Sequence, residues 1–373
     1  MGIDFRNPLP LHKQIHQDLV NNIQVGNLKV GDKLKTQYEL VKKYDVSLIT
    51  VKRALSDLIN EGILFARVGK GTFVARRPSN IDYSKHLTIA YILKDLDNPY
   101  YHSMVSSVES NLSENKCNMM LYSSDNQRDR EEQKIRYFID IGVSGLILGS
   151  MSHSPFTSSL IIELQEKQFP CVMVSYTEDP SMCFVGTDQE NGGFIATEHL
   201  IKTGYKDIGY VNGEEGNLIG EARKRGYIKA LTEHNLPVNE NYLYRIKVKG
   251  KRGDYMSGYD VGMEFSKRSD RPRAMFIYND LSALGFIDAL DNFGLKVPED
   301  VAIIGFDDIA SEITLKNHLS SVHQPTDKIG KLAVKNLLKM INGESVDPTN
   351  KRILKPKLVV RESCGAKKIA EDC

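Results

Sequence analysis

From Thr88 onward one pattern repeats: a short apolar run rich in β-branched residues, then a stretch with helical spacing of its apolar positions. "TIAYIL" precedes a helical stretch over 101–115, "MMLY" one over 130–140, "GLILG" one over 157–167, and "CVMV" closes the first half. "IGYV", "AMFIY" and "VAIIGF" continue it in the second half, each followed by a helical stretch. Runs without a polar face belong to strands covered on both sides, and strand–helix–strand order is how parallel strands are joined. The pattern therefore implies parallel sheets between layers of helix. At about 285 residues it exceeds one comfortable sheet. Two similar lobes are expected, with room for the chain to cross between them more than once.

The residues before Thr88 follow other rules. Leu11, Ile15, Leu19 and Ile23 are four apart and predict an amphipathic helix over 11–25 that Gly26 stops. "TQYE" places Thr36 to cap the backbone of Glu39 and Glu39 to reach back, a capping box that opens a second helix. Ser47 is the N-cap of a third, which Gly62 ends; "ILFARVGKGTFV" then reads as a β-hairpin with a glycine-rich tip. Three helices and a hairpin make a winged helix. Residues 1–80 carry 13 basic and 7 acidic side chains, the remainder 36 and 41, so the surplus of positive charge sits in this piece. Such asymmetry suits a polyanionic partner, although a solvated basic surface has the same count. The polar, aperiodic "ARRPSNIDYSKH" marks a linker. The expected organisation is a head over 1–76, a linker over 77–87, a two-lobed body over 88–361 and a tail over 362–373.

At 100° per residue the third helix gathers Val51, Ala54, Leu55 and Leu58 on one face and sets Ile49, Thr50, Arg53, Ser56 and Asn60 opposite. The second helix of a helix-turn-helix enters the major groove with its N-terminal residues near base edges, so Ile49, Thr50 and Arg53 are placed to read sequence. Lys52 on the flank suits a phosphate, and Lys35 and Arg67 add others. At the wing tip Gly71 lets backbone approach the duplex while Lys70 supplies an ammonium. The caps Thr36 and Ser47, at helix N-termini, complete the DNA-binding candidates. A polar face is also the ordinary condition of a surface helix; the combination with the hairpin and the local charge favours DNA.

Chemistry in the body is narrower. The five cysteines are dispersed, without C-x-x-C or Cys/His spacing, so neither a disulfide framework nor a metal site is indicated. No Ser/His/Asp or Cys/His set suggests a nucleophile, no G-x-G-x-x-G follows a strand, and there is no Walker A motif: an enzyme is not expected, nor a cofactor. No apolar run reaches 18 residues and the N-terminus lacks a signal peptide's apolar core, which predicts a cytoplasmic protein without a membrane partner. In open α/β sheets ligands sit beyond the carboxyl ends of strands. Polar residues there are Asn98, Tyr100 and Tyr101, then Ser175, then Asn279 and Asp280, then Asp307 and Asp308, with Arg223 near the start of a helix. Amides, carboxylates, a guanidinium and aromatic rings suit a hydroxyl-rich ligand, each charged group engaging two hydroxyls while a ring covers an apolar face. Adjacent carboxylates such as Asp307 and Asp308 rarely straddle one bond as glycoside hydrolysis needs.

The stretch "KLKTQYELVKKYDVSLITVKRALSDLINEGILFARVGKGTFV" resembles the GntR-type winged helix throughout its length. Leu48 stands where that family usually carries a DNA-contacting Arg, which shifts the load toward Lys52 and Arg53. Residues 88–361 resemble the LacI/GalR effector domain, itself similar to periplasmic sugar-binding proteins, through "NPYY" (98–101), "VGTDQENGGFIATEHLIKTGYKDIGYVNG" (185–213), "RKRGYIKAL" (223–231), "YNDLSALG" (278–285), "VPEDVAIIGFDD" (297–308) and "VHQP" (322–325). The resemblance implies sugar contacts at Arg223, Asn279 and Asp307, further pocket positions at Ser175 and Gln324, and an aromatic lid near Tyr255. Ser175 stands where relatives often have Asp. A GntR-type head on a LacI/GalR-type body is the arrangement of AraR-type regulators, whose ligand is arabinose. The fold so implied is an N-terminal winged helix-turn-helix (α+β) plus an α/β periplasmic-binding-protein-like type I effector domain of two parallel-sheet lobes. The expected function is a homodimeric repressor on double-stranded operator DNA, released by a sugar or sugar-phosphate effector, with an L-arabinose-like pentose first. A ligand-activated activator and a cytoplasmic sugar-binding protein without DNA function are the alternatives.

Overall fold

The computed structural model describes residues 10–67, 70–75, 87–125, 127–149, 159–174, 176, 183–247, 253–309, 319–344, 346 and 352–366. Ser175, most of the expected linker and the tail beyond Ala366 lie outside them. Two compact units divide the chain, Met1–His86 and Leu87–Cys373.

In the first unit α1 (Leu11–Gln24), α2 (Gln37–Tyr44) and α3 (Leu48–Asn60) precede an antiparallel hairpin of β1 (Leu64–Arg67) and β2 (Gly71–Val74). Ile15, Leu19 and Ile23 of α1 bury against Leu40, Val51, Ala54, Leu55 and Leu58. The capping box at α2 is formed: the Glu39 N–H donates to Thr36 Oγ1 at 3.3 Å and the Thr36 N–H to Glu39 at 2.6 Å. Asp45, in the left-handed region at φ 51°, ends α2, and Ser47 accepts from the Thr50 N–H at 3.2 Å to start α3. The Tyr44 hydroxyl and Lys43 ammonium both reach Asp18, at 2.6 and 3.0 Å, and tie α2 to α1.

The second unit holds two sheets. The first lobe has β3 (Thr88–Leu93), β4 (Asn118–Ser123), β5 (Gly145–Gly149) and β6 (Cys171–Met173), all parallel in the order β4-β3-β5-β6. Its helices are α4 (Pro99–Glu114), α5 (Arg128–Asp140) and α6 (Ser159–Glu166). Alternation along β3 sends Ile89, Tyr91 and Leu93 into one apolar layer and Ala90 and Ile92 into the other, the two-faced burial expected of a parallel sheet. After β7 (Val185–Thr187) the chain builds the second lobe: α7 (Gln189–Lys202), β8 (Ile208–Asn212), α8 (Leu218–Glu233), β9 (Leu243–Arg245), α9 (Gly253–Ser266), β10 (Ala274–Ile277), α10 (Asp280–Asp291), β11 (Ala302–Asp307) and β12 (Ser320–His323).

The chain then returns. Helix α11 (Thr326–Ile341) places Ile329, Ala333 and Leu337 in the first lobe's core beside Tyr91, and β13 (Arg352–Leu354) pairs parallel with β7. Strand β14 (Lys357–Val359) ends in the second sheet, antiparallel to β12, giving the order β14-β12-β11-β10-β8-β9. The lobes are thus joined by several crossings, and β14 departs from the purely parallel expectation. An edge strand of three residues entered by a short turn needs no helical crossover, so it gave no βαβ signal.

Candidate DNA-reading face and ligand cleft

On α3, Val51, Ala54 and Leu58 are fully buried while Ile49 is 79% exposed. Lys52, Arg53 and Ser56 are exposed beside it, and among the described residues Lys35, Lys52, Arg53 and Lys70 hold no ion pair. Their charges face water and are free to meet a polyanion. Thr36, Ser47 and Thr50 are differently placed: their hydroxyls are committed to the helix caps, Thr50 Oγ1 lying 2.8 Å from Ser47 Oγ. In the hairpin, the Phe65 and Phe73 rings stack at 5.6 Å and the Arg67 guanidinium lies 5.3 Å and 5.9 Å from their centroids. Gly71 has φ +114°, and a Cβ there would come within 2.7 Å of the Lys33 side chain. Lys33 and Tyr38, the latter 75% exposed, join this unit's exposed set without having been singled out in the sequence.

In the second unit the two lobes enclose a cleft of ≈ 720 Å³, its mouth included. Its anchor is Arg223 on α8, 3% exposed. Helices α7 and α8 touch backbone to backbone there: a Cβ on Gly193 would fall 2.1 Å from the Arg223 carbonyl oxygen, and one on Gly226 2.0 Å from that of Glu190. The guanidinium lies 3.4 Å from the centre of the Phe306 ring. Its Nε donates to Gln189 Oε1 at 2.9 Å, one Nη to the Tyr278 carbonyl, and the other to Asp307 at 3.5 Å. Gln324 donates to the same Asp307 oxygen at 2.8 Å, and Gln189 to Gln324 at 3.3 Å. Arg223, Gln189, Gln324 and Asp307 thus close a ring. Burial pushes the Asp307 carboxyl up to about 6, against the pull of Arg223. Asp307 itself sits at φ 110°, in the region that costs a non-glycine residue strain.

Asn279 caps α10 by accepting from the Ser282 N–H at 2.9 Å and donates to Asp254 at 2.7 Å; Asp254 also accepts from the Tyr278 hydroxyl at 3.0 Å. Asn98 likewise caps α4, accepting from the Tyr100 N–H at 3.0 Å, and brings Tyr100 and Tyr101 to the opposite wall, edge to face at 5.2 Å. The structure therefore gathers Asn98, Tyr100, Tyr101, Arg223, Asn279, Asp307 and Gln324 in one cleft.

Other candidates fall elsewhere. Tyr255 does not line the cleft; it is 36% exposed and its hydroxyl is bonded to Asp288, while its neighbour Asp254 points inward. Asp280 is fully buried, accepts from Ser321 Oγ at 2.7 Å and the Ile309 N–H at 2.9 Å, and its carboxyl is pushed well up by burial. Asp308 turns to Arg361 at 2.7 Å and His323 at 3.1 Å, anchoring the segment that follows β14. Gln189, Asp254, Tyr91, Lys94 and Asp95 line the cleft and were missed. For Lys94 and Asp95 the signal was present in "KD" directly after β3; Gln189 and Asp254 sit in helix first turns, where a polar residue is ordinary. Lys94 lies 3.8 Å from Glu214 of the other lobe, and burial raises the Asp95 carboxyl, with the Asp254 charge adding to it. Among the described residues no His/Cys/Asp/Glu group fits a metal ion, and no helix is long and apolar enough to cross a membrane.

Comparison with known proteins gives each of the two units its own match. Residues 11–74 match the model of bacterial regulatory proteins of the gntR family, and residues 197–364 that of the periplasmic binding protein-like domain. The arabinose metabolism transcriptional repressor of Geobacillus stearothermophilus is 31% identical over 95% of this chain and 98% of its own length. Among solved structures, transcription regulator CcpA of Lactococcus lactis is similar at TM-score 0.65 and 26% identity over 75% of this chain and 99% of that one. A CelR transcriptional regulator in complex with cellobiose is similar at 0.65 and 25% over 87% and 93%. With identity sustained from the winged helix to the last strand of the body, the chain belongs to the arabinose metabolism (AraR-type) family of transcriptional repressors, which are regulators and not enzymes.

Proposed function

We propose that this repressor binds a palindromic operator as a homodimer and releases it when an uncharged sugar, first among them an L-arabinose-like pentose, closes the two lobes. The observation that carries the sugar reading is the Arg223–Asp307–Gln324–Gln189 ring: buried donors and acceptors held in place by one another. A planar guanidinium and a carboxylate each engage adjacent hydroxyls, and such a site rejects analogues that leave its groups unpaired. An unphosphorylated sugar is favoured because the lining carries Asp95, Asp254 and Asp307 against Lys94 and Arg223, an excess of negative charge that opposes a phosphate. The structural neighbour in complex with cellobiose and the arabinose repressors point the same way.

In the head, Ile49 and Arg53 read bases, Lys52, Lys35, Arg67 and Lys70 meet phosphates, and the backbone of Gly71 approaches the duplex. Thr36, Ser47 and Thr50 act by fixing helix N-termini whose free N–H groups face phosphate. Two heads on a two-fold dimer match two half-sites. The sugar acts only through its preference between the two arrangements; a tenfold preference supplies about 1.4 kcal/mol, and a near-complete switch several times that. A melting-temperature screen against pentoses, hexoses and their phosphates, run beside release of promoter DNA, tests the reading. Stabilisation and release by L-arabinose support it; stabilisation by sugar phosphates alone refutes it.

A further inference from the structure

On the floor of the cleft one polar atom has no partner among the described residues. Tyr91 of β3 is fully buried and lines the cleft, yet its hydroxyl makes no hydrogen bond among the described residues. Buried hydroxyls are normally paired, and leaving one unpaired is costly. Met104 and Val174, which also line the cleft, share its apolar layer, and Tyr100 packs against that layer. Gly149, at the end of the neighbouring strand β5, stands against it: a Cβ there would lie 3.5 Å from the Tyr91 hydroxyl and 3.3 Å from its ring. The Gly149 backbone lies outside the left-handed region, so its conformation does not demand glycine. What the missing side chain provides is space next to the hydroxyl. Burial also raises the phenols of Tyr91, Tyr100 and Tyr101, which keeps all three as neutral donors at ordinary pH.

We propose that Tyr91 is a specificity-determining residue for the effector, its hydroxyl donating a hydrogen bond to a hydroxyl oxygen of the sugar in the space that Gly149 leaves open. The inference rests on the reading of the cleft as a sugar site. It gives the first lobe a selecting role of its own: the second lobe grips with charge, whereas Tyr91 asks for one oxygen at the floor and rejects a sugar lacking it.

The test uses the full chain, as wild type, Tyr91→Phe and Gly149→Ala. Each is titrated calorimetrically with L-arabinose and a panel of other pentoses and hexoses, and melted without sugar. The expected result is that Tyr91→Phe melts no lower than wild type but binds the sugar about tenfold more weakly, since one buried hydrogen bond is lost. Gly149→Ala should weaken binding as well. Unchanged affinity in Tyr91→Phe overturns the proposal while leaving the sugar site intact, and so does a large drop in its melting temperature, which would mean the hydroxyl serves the protein itself. If Tyr91→Phe fails to fold, Gly149→Ala decides, and unchanged binding there counts against the proposal. If no sugar binds the wild type, this inference and the reading beneath it fall together.

Discussion

The α3 face of the head and the ring around Arg223 both present cationic side chains, on opposite terms. Lys52 and Arg53 stand in water without ion pairs among the described residues, next to an Ile49 that is 79% exposed. Arg223 is 3% exposed and its donors are already placed on Gln189, Tyr278 and Asp307. A polyanion brings its own dense charge and releases counterions on binding, so the surface that meets it gains by staying hydrated and mobile. An uncharged sugar brings only weak dipoles. A site that distinguishes sugars must therefore fix its donors and acceptors beforehand.

The comparison is broken most forcefully at Arg223. Arg223→Ala leaves Asp307 buried without its cation, and removal of one partner of a buried pair costs about 3–5 kcal/mol. Denaturant unfolding should show the body's transition displaced and the head's retained, with sugar binding lost. A single unshifted transition would mean that the ring is not preformed.

Arg53→Ala should do the reverse. Folding should stay as in wild type, because no ion pair is broken, while operator affinity falls by about 1–3 kcal/mol and base preference relaxes. Lys70→Ala, in contrast, should weaken all DNA alike and reduce the salt dependence by about one ion. Gel-shift titrations at several salt concentrations separate the two, and an equal loss of sugar affinity in either variant would refute the division of labour.

The smallest effect is the pH dependence of the cleft. Asp307 rises from an ordinary 3.8 to about 6, chiefly by burial, facing Arg223 and Gln324 with Asp254 and Tyr100 nearby. The folded state thus holds this proton more tightly than the unfolded chain does. Its contribution to folding is complete below the unfolded value and is lost as pH rises toward the folded one. Sugar binding has the opposite sign if the carboxylate is the acceptor: affinity should weaken by up to about tenfold per unit below pH 6. Calorimetric titrations between pH 5 and 8 check this, and Asp307→Asn should flatten the profile. An affinity constant across that range would exclude Asp307 as a charged contact.

Much of the architecture could be read before any coordinates because its causes are local. The Thr36–Glu39 capping box spans three residues, and the Ile15, Leu19, Ile23 stripe follows from one helical period. Two-sided burial of "TIAYIL" is written into the run itself. The cleft was only half legible. Residues just past strand ends, such as Asn98, Asn279 and Asp307, could be listed from position alone, yet Asp280 and Asp308 passed the same filter and went to structural work instead.

What the sequence determined unaided is the set of local decisions: helices, caps, strands, a basic head and an α/β body, each fixed by neighbours within a few residues. What only the tertiary structure decided is which polar groups meet. Arg223 joins Gln189 across 34 residues and Asp307 across 84, and Gln189 joins Gln324 across 135. The returning α11 closes the first lobe's core behind Tyr91, whose hydroxyl has no partner among the described residues. Those meetings depend on the register of two sheets and on the glycine contact between α7 and α8, geometry that no local period encodes.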